Sequence, residues 1–194
     1  MKEKIGKREK IIRSAMALLT KHGFHAAPMS MIANKAGVAA GTIYTYFRSK
    51  DVLIEAISQE IQNDIINYLK KNMPESDTAK EKFVNFYTSL LSYLTAKPLH
   101  FRYLEQYHNS PYGISLRRDV LTGNKNDLSP LTEIINEGIS KKEIEVKDMP
   151  FPLLLAHVFG PLLVIARDNA LGFFKTDKTQ IRTSAEACWD SLKK

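Results

Sequence analysis

The polar groups that stand out lie close together: the hydroxyls of Ser30, Thr42, Tyr44, Thr45 and Tyr46, and the ammonium of Lys50. Hydroxyls donate and accept hydrogen bonds, and a lysine adds a point charge on a flexible stem. That chemistry suits phosphate oxygens and base edges. Catalytic patterns are missing by contrast. The five histidines, His22, His25, His100, His108 and His157, form no HExxH pattern, and neither paired cysteines nor Gly-x-Ser-x-Gly occurs. His22 and His25 straddle Gly23 and read as loop histidines rather than a metal pair. Cys188 beside Trp189 on an apolar face reads as core, not as a nucleophile. No enzyme activity, metal or cofactor is expected.

The charge distribution agrees. The 194 residues carry a net +7, yet residues 1–50 alone hold ten lysines and arginines against Glu3 and Glu9, a local +8. The remainder is close to neutral. Such a field favours a polyanion, the DNA backbone or an anionic membrane surface; the alternative on charge alone is a plain solvated tail. With 44% hydrophobic and 25% charged residues, the composition is that of a soluble globular chain. A basic opening without an apolar stretch is no signal peptide, and a single cysteine permits no disulfide within the chain, so a cytoplasmic protein is expected. Met149 to Ala166 runs eighteen residues without a charge. Pro150, Pro152, Gly160 and Pro161 interrupt it, so a buried packing helix rather than a membrane span is expected.

Helical periodicity runs through nearly the whole chain and predicts an all-α fold. Lys7 to His22 places Ile11, Ile12, Ala15, Leu18 and Leu19 on one face, and Gly23 is placed to end the helix in a left-handed turn. Pro28 suits the first turn of a short second helix bearing Met29, Ile32, Ala33 and Ala36, which stops at Gly37. A third short helix starts at Ala40 or Gly41 and ends at Phe47. Ser49 is a good N-cap for a long fourth helix reaching about Lys71. Further helices are predicted at 79–96, from Pro98, at 128–142, from about Pro150 to Leu171 and from about Lys178 to Leu192. Residues 110–127 are ambiguous, with turn signals at Pro111, Gly113 and Gly123-Asn124.

Three helices with a tight glycine turn between the second and third make a helix-turn-helix. Gly37 permits the turn, Ala33 and Ala36 permit close crossing, and Ile32, Val38, Ile43 and Phe47 pack beneath. Thr42, Thr45 and Tyr46 then face outward, where the start of a third helix enters the major groove.

Here the sequence resembles the tetracycline-repressor (TetR) family. The resemblance is carried by Lys10 to Ala15, Leu18-Leu19, Gly23-Phe24, Ile32 to Val38, Gly41 to Phe47, and Ser49-Lys50-Asp51 with Leu53. It covers about residues 7–57; beyond them only the general all-helical plan is shared. It implies a homodimeric regulator placing its third helices in successive major grooves of a palindromic operator. Carried over, Thr42, Tyr44, Thr45 and Tyr46 contact phosphates and bases, together with the helix start at Ala40 and Gly41. Lys50 grips the backbone, and Ser30 is a further contact. Two departures stand out: Ala27-Pro28 replaces a Thr cap before the second helix, and Ala40 replaces a polar residue.

The division expected is a DNA-binding domain over residues 1–50, with the motif at about 28–47, and a ligand-binding and dimerisation domain over 51–194. The last two helices are the dimer candidates, with Phe159, Leu163, Ala185 and Trp189 as anchors; the alternative is that Trp189 fills its own core. Phe86, Tyr87, His100, Tyr103, Leu104, Tyr107 and His157 could line a cavity for an apolar or amphipathic small-molecule effector, although an aromatic stripe is also ordinary core. A non-specific architectural DNA binder is the rival reading.

Overall fold

The computed structural model describes residues 6–121, 129–145 and 149–192. The turn expected at Gly123-Asn124 and the basic residues Lys2 and Lys4 lie outside them. Ten helices are described: α1 (Lys7–His22), α2 (Met29–Ala36), α3 (Ala40–Tyr46), α4 (Lys50–Asn72), α5 (Ala79–Ala96), α6 (Pro98–His108), α7 (Pro111–Leu121), α8 (Ser129–Ser140), α9 (Phe151–Leu171) and α10 (Lys178–Asp190).

The head forms as its spacing predicts. α1 buries Ile11, Ile12, Ala15, Leu18 and Leu19, with Met16 added. Gly23 ends it at φ 81° and ψ 166°, an extended ψ rather than the left-handed turn expected, while its N–H still donates to the Leu19 carbonyl at 2.8 Å. Pro28 lies one residue outside α2 as its N-cap. Gly37 is left-handed at φ 66° and ψ 35°, and the next N–H, of Val38, donates to the Ala33 carbonyl at 3.0 Å. That closure satisfies carbonyls at the helix end and turns the chain sharply into α3. Ile43 and Phe47 lock α3 onto Ile32 and the rest of a shared apolar cluster. Ser49 caps α4 by accepting from the Val52 N–H at 3.2 Å.

This cluster does not stop at residue 50. It takes in Leu53, Ile54, Ile57 and Ile61 of α4 and also Tyr103 and Tyr107 of α6. The first half of α4 is head core, and α6 clamps it from the body side. The ambiguous stretch after residue 110 contains α7, which lies against α6.

In the body α5 is the central helix, covered by α4, α6, α8, α9 and α10. Its Phe83 meets Trp189 of α10 with ring centroids 5.3 Å apart. Asp177 and Gln180 cap α10 reciprocally, each accepting the other's backbone N–H, at 2.8 and 3.0 Å.

α9 differs from its sequence reading. Leu154, Val158, Leu162 and Ala166, spaced four apart, are its only buried residues. Among the described helices it is the one long and apolar enough to cross a membrane, yet only 22% of its most apolar window is buried. The expectation of a buried packing helix therefore fails for a single chain, because the opposite apolar face has no cover. Leu153, Val164 and Leu171 are exposed there, and Phe173 follows just beyond the helix.

Candidate nucleic-acid interface

The polar residues singled out in the head are all at least partly accessible. Ser30, Ala40, Gly41, Tyr44, Thr45 and Tyr46 are exposed, and Thr42 and Lys50 are half-buried. Tyr44 is 53% and Tyr46 43% exposed, so Tyr44 is not a core tyrosine. At about 100° per residue, Gly41 and Thr45 lie opposite the buried Ile43 and Phe47. Tyr44 and Tyr46 fall on the two flanks, about 100° to either side. A helix so decorated has a low ridge between two aromatic hydroxyls. That shape fits a groove with phosphates on both walls.

The lysine is held in place. Its ammonium donates to the His25 carbonyl at 3.5 Å, at the start of α4. Desolvation lowers its pKa, and the neighbouring Asp51 carboxylate partly offsets that. Not all of the head's positive charge is available to a partner. Arg8 pairs with Glu60 and lies 5.5 Å over the Phe47 ring, and Arg13 pairs with Glu9 at 2.5 Å. Lys7, Lys10, Lys35 and Arg48 are exposed.

The seven residues expected to line an effector cavity are not gathered around one void. Phe86 and Tyr87 belong to the body core, with the Tyr87 hydroxyl 3.3 Å from Ser184 Oγ. His100 is half-buried and shares a 2.7 Å hydrogen bond with the Tyr93 hydroxyl. Desolvation and then Lys97 lower the pKa of His100, against an opposing effect from Asp64. Tyr103 and Tyr107 face the head instead, and Leu104 touches both clusters. His157 is exposed, its Nε2 2.6 Å from Ser191 Oγ. The physical reason is that α6 presents two faces to two different cores, Phe101 to the body and Tyr103 and Tyr107 to the head, which periodicity alone does not assign. An open cavity of about 200 Å³ does exist between α8 and α9, lined by Leu131, Ile135, Ile139, Met149, Phe151 and Leu154 among others. None of the seven lines it.

The dimer anchors divide in the same way. Trp189 is fully buried against Phe83, and Ala185 is fully buried too, so both serve their own chain. Leu163 is exposed and Phe159 half-buried.

Sequence reasoning missed the contacts that join head and body. The Tyr103 hydroxyl donates to the Ile54 carbonyl at 2.6 Å, and Gln106 Nε2 donates to the Thr20 carbonyl at 2.9 Å. The Tyr112 hydroxyl donates to Asp51 at 2.5 Å, a bond that pushes its pKa up to about 12. Phe24 packs edge-on against Tyr103 and Tyr112. Glu105, which could have offered a site for a cation, pairs with Arg167 at 2.5 Å. The hydrogen-bonded partners across this seam lie 49 to 86 residues apart in sequence, and no local signal announces them.

A short recognition helix exposed on a three-helix head, docked through α4 and α6 onto a helical body, defines a helix-turn-helix DNA-binding protein with a separate regulatory body. Comparison with known proteins makes that specific. Residues 11–57 match the family model described as bacterial regulatory proteins, tetR family, and residues 79–193 match a tetracyclin repressor-like C-terminal domain. A fatty acid metabolism regulator protein of Bacillus subtilis (strain 168) is 32% identical over 162 residues, 84% of this chain and 82% of that protein. The structure of the fatty acid degradation regulator FadR of Bacillus halodurans superimposes with a TM-score of 0.70 at 26% identity, covering 97% and 96% of the two chains. A putative tetR family regulator of Shewanella sp. PV-4 shares the fold, with a TM-score of 0.80 at 23% identity over 97% and 98%. The chain belongs to the tetR family of bacterial transcriptional regulators.

Proposed function

We propose that this regulator is a cytoplasmic homodimer that represses transcription from a palindromic operator and is released by an amphipathic effector of fatty-acid metabolism. The observation that carries the DNA half is the exposed ridge of α3, with Thr42, Tyr44, Thr45 and Tyr46 free of the core and Lys50 beside it. Tyr44, Tyr46, Ser30 and Lys50 contact phosphates, and the Gly41–Thr45 line meets base edges. The effector class is supported by the likeness to the Bacillus subtilis fatty acid metabolism regulator, which spans head and body alike. The aliphatic lining of the cavity between α8 and α9 also suits an alkyl chain. The exposed apolar face of α9 supports the dimer, with Leu163 exposed on the helix, whereas Phe159 packs against its own body core.

Release follows from how α4 is held. Tyr103, Tyr112 and Gln106 bind the backbone or side chains of α4 and α1, so displacement of α6 by a body ligand pulls on the head. The buried Ser58 Oγ on α4 and Gln106 Oε1 on α6 have no hydrogen-bond partner. A buried group costs about 1–3 kcal/mol where it stays unpaired, which favours any second arrangement of these helices that pairs it. A ligand that binds the second arrangement better shifts the population toward it. The heads then leave the spacing of about 34–36 Å that one DNA turn requires. Selecting bound sequences from a random duplex pool, then titrating fatty acids and their activated thioesters against the selected operator, tests the whole reading. A two-fold symmetric consensus and effector-dependent release are expected. Enrichment of no sequence would leave a non-specific DNA binder, and affinity unchanged at saturating effector would remove the induction mechanism.

A further inference from the structure

The recognition helix α3 reads AGTIYTY and carries no guanidinium, ammonium, amide or carboxylate. Those groups are the ones that hold guanine, adenine or cytosine edges by strong or paired hydrogen bonds in the major groove. What the ridge offers instead is Thr45, the bare backbone of Gly41 and, half-buried beside them, Thr42. The Thr45 hydroxyl donates to the Gly41 carbonyl at 3.4 Å. Its proton is thus drawn back into the helix, and the methyl group is left as an apolar contact. Thymine alone among the four bases carries a methyl group on the major-groove edge.

Gly41 adds an independent observation. Its φ is not positive, and a Cβ built there would meet nothing within 4 Å. Neither the backbone nor the packing of the free protein needs a glycine, and glycine is a poor helix residue. The missing side chain matters only to something that approaches the helix from outside. A close-approaching backbone is the other common use of glycine.

We propose that α3 reads a thymine-rich half-site by methyl contact: the Thr45 methyl, with Thr42 beside it, packs against thymine C5 methyl groups, and Gly41 lets the helix sit deep enough to reach them. Tyr44 and Tyr46 set that depth by gripping the two phosphate walls. The inference rests on the DNA-binding reading above and specifies its base chemistry. Arg48, exposed just past α3, is a group able to read guanine instead.

The test uses the full-length dimer and an operator selected from a random pool. Replacing half-site thymines by deoxyuracil removes only the methyl group, and each contacted methyl lost should weaken binding about fourfold. Thr45→Ser keeps the hydroxyl and its bond to Gly41. It should show the same loss on the natural operator and little further loss on the deoxyuracil one. Gly41→Ala should bind more weakly while melting no lower than the parent. Deoxyuracil operators bound within twofold of the original would overturn the proposal. So would a half-site guanine whose 7-deaza replacement abolishes binding while deoxyuracil substitution has no effect. A pool that yields no consensus at all would instead remove the regulator reading itself, so the two failures are distinguishable.

Discussion

At the residue scale the proposed phosphate contact of Lys50 is open to a direct test. Its ammonium is half-buried at the start of α4 and anchored to the His25 carbonyl, so it is positioned before any phosphate arrives. Replacing it with glutamine should weaken operator and scrambled duplex alike. It should also flatten the dependence of log affinity on log salt by about one per head. Fluorescence anisotropy over a salt series measures this, and an unchanged slope would make Lys50 an ordinary solvated lysine. The outward placement of the α3 hydroxyls was legible in the sequence because the motif is local: glycine turn, small crossing residues and outward positions all fall within residues 33–47, and helical geometry converts spacing directly into direction. Tyr103 and Tyr107 were not. Their period matches any amphipathic helix, and nothing nearby says that they face Ile54 rather than an effector. One histidine adds a pH prediction. Burial lowers the pKa of the half-buried His100, with Lys97 acting in the same sense and Asp64 opposing. The unfolded chain therefore binds more protons than the folded one below about pH 6.5. Stability is fully present above that value and falls as the pH drops toward the folded-state values. Urea midpoints should decline from pH 7 to pH 5 more steeply in the parent than in a His100→Gln variant.

At the scale of elements, the seam between α6, α7 and α4 is where effects on stability and on the proposed release can be told apart. Gly113, in the first turn of α7, has no room for a side chain: a Cβ there would lie 2.2 Å from the Tyr107 carbonyl oxygen and 2.4 Å from the His108 Cα. These are backbone atoms, so the α6–α7 turn itself must open. Gly113→Ala should cost about 1–3 kcal/mol, as overpacking generally does. It should also displace Tyr112 from Asp51. Tyr103→Phe asks a different question. It removes one hydroxyl at the seam and leaves the ring in place against Phe24, for a loss of about 1 kcal/mol. If α6 transmits the effector signal through that bond, the variant should bind operator normally yet need more effector for release. A thermal melt and an operator-release titration on the same preparation separate the effects. Release unchanged in Tyr103→Phe would assign the signal to another contact. Glycine at position 113 was read from sequence only as a turn signal, because steric exclusion by a helix that precedes it cannot be seen in composition.

The whole molecule is shaped by a surface one chain leaves open. Leu153, Val164 and Leu171 of α9 and the following Phe173 are 50 to 75% exposed, while the same helix buries only a stripe four residues apart. The sequence marked this helix as apolar all round, which is equally the mark of a buried core helix, and the difference lies in which neighbours exist. Trp189 shows the converse: a large aromatic residue on the last helix looks like an interface anchor, yet Phe83 of the same chain already covers it. In the proposed dimer a second copy set against α9 would remove the exposed face from water and place two heads on one duplex. Binding of the second head then becomes intramolecular, a gain of about 10² to 10⁴ in affinity without any new contact. Leu163→Asp puts a charge on the outer face without touching the buried stripe of Leu162. It should yield a monomer in sedimentation, with helical content retained and operator affinity reduced by about two orders of magnitude or more. Binding of scrambled duplex, which needs only one basic head, should change far less. A variant that stays dimeric would place the two-fold contact elsewhere. A monomer that binds operator as tightly as the parent would mean that a single α3 ridge reads the site unaided.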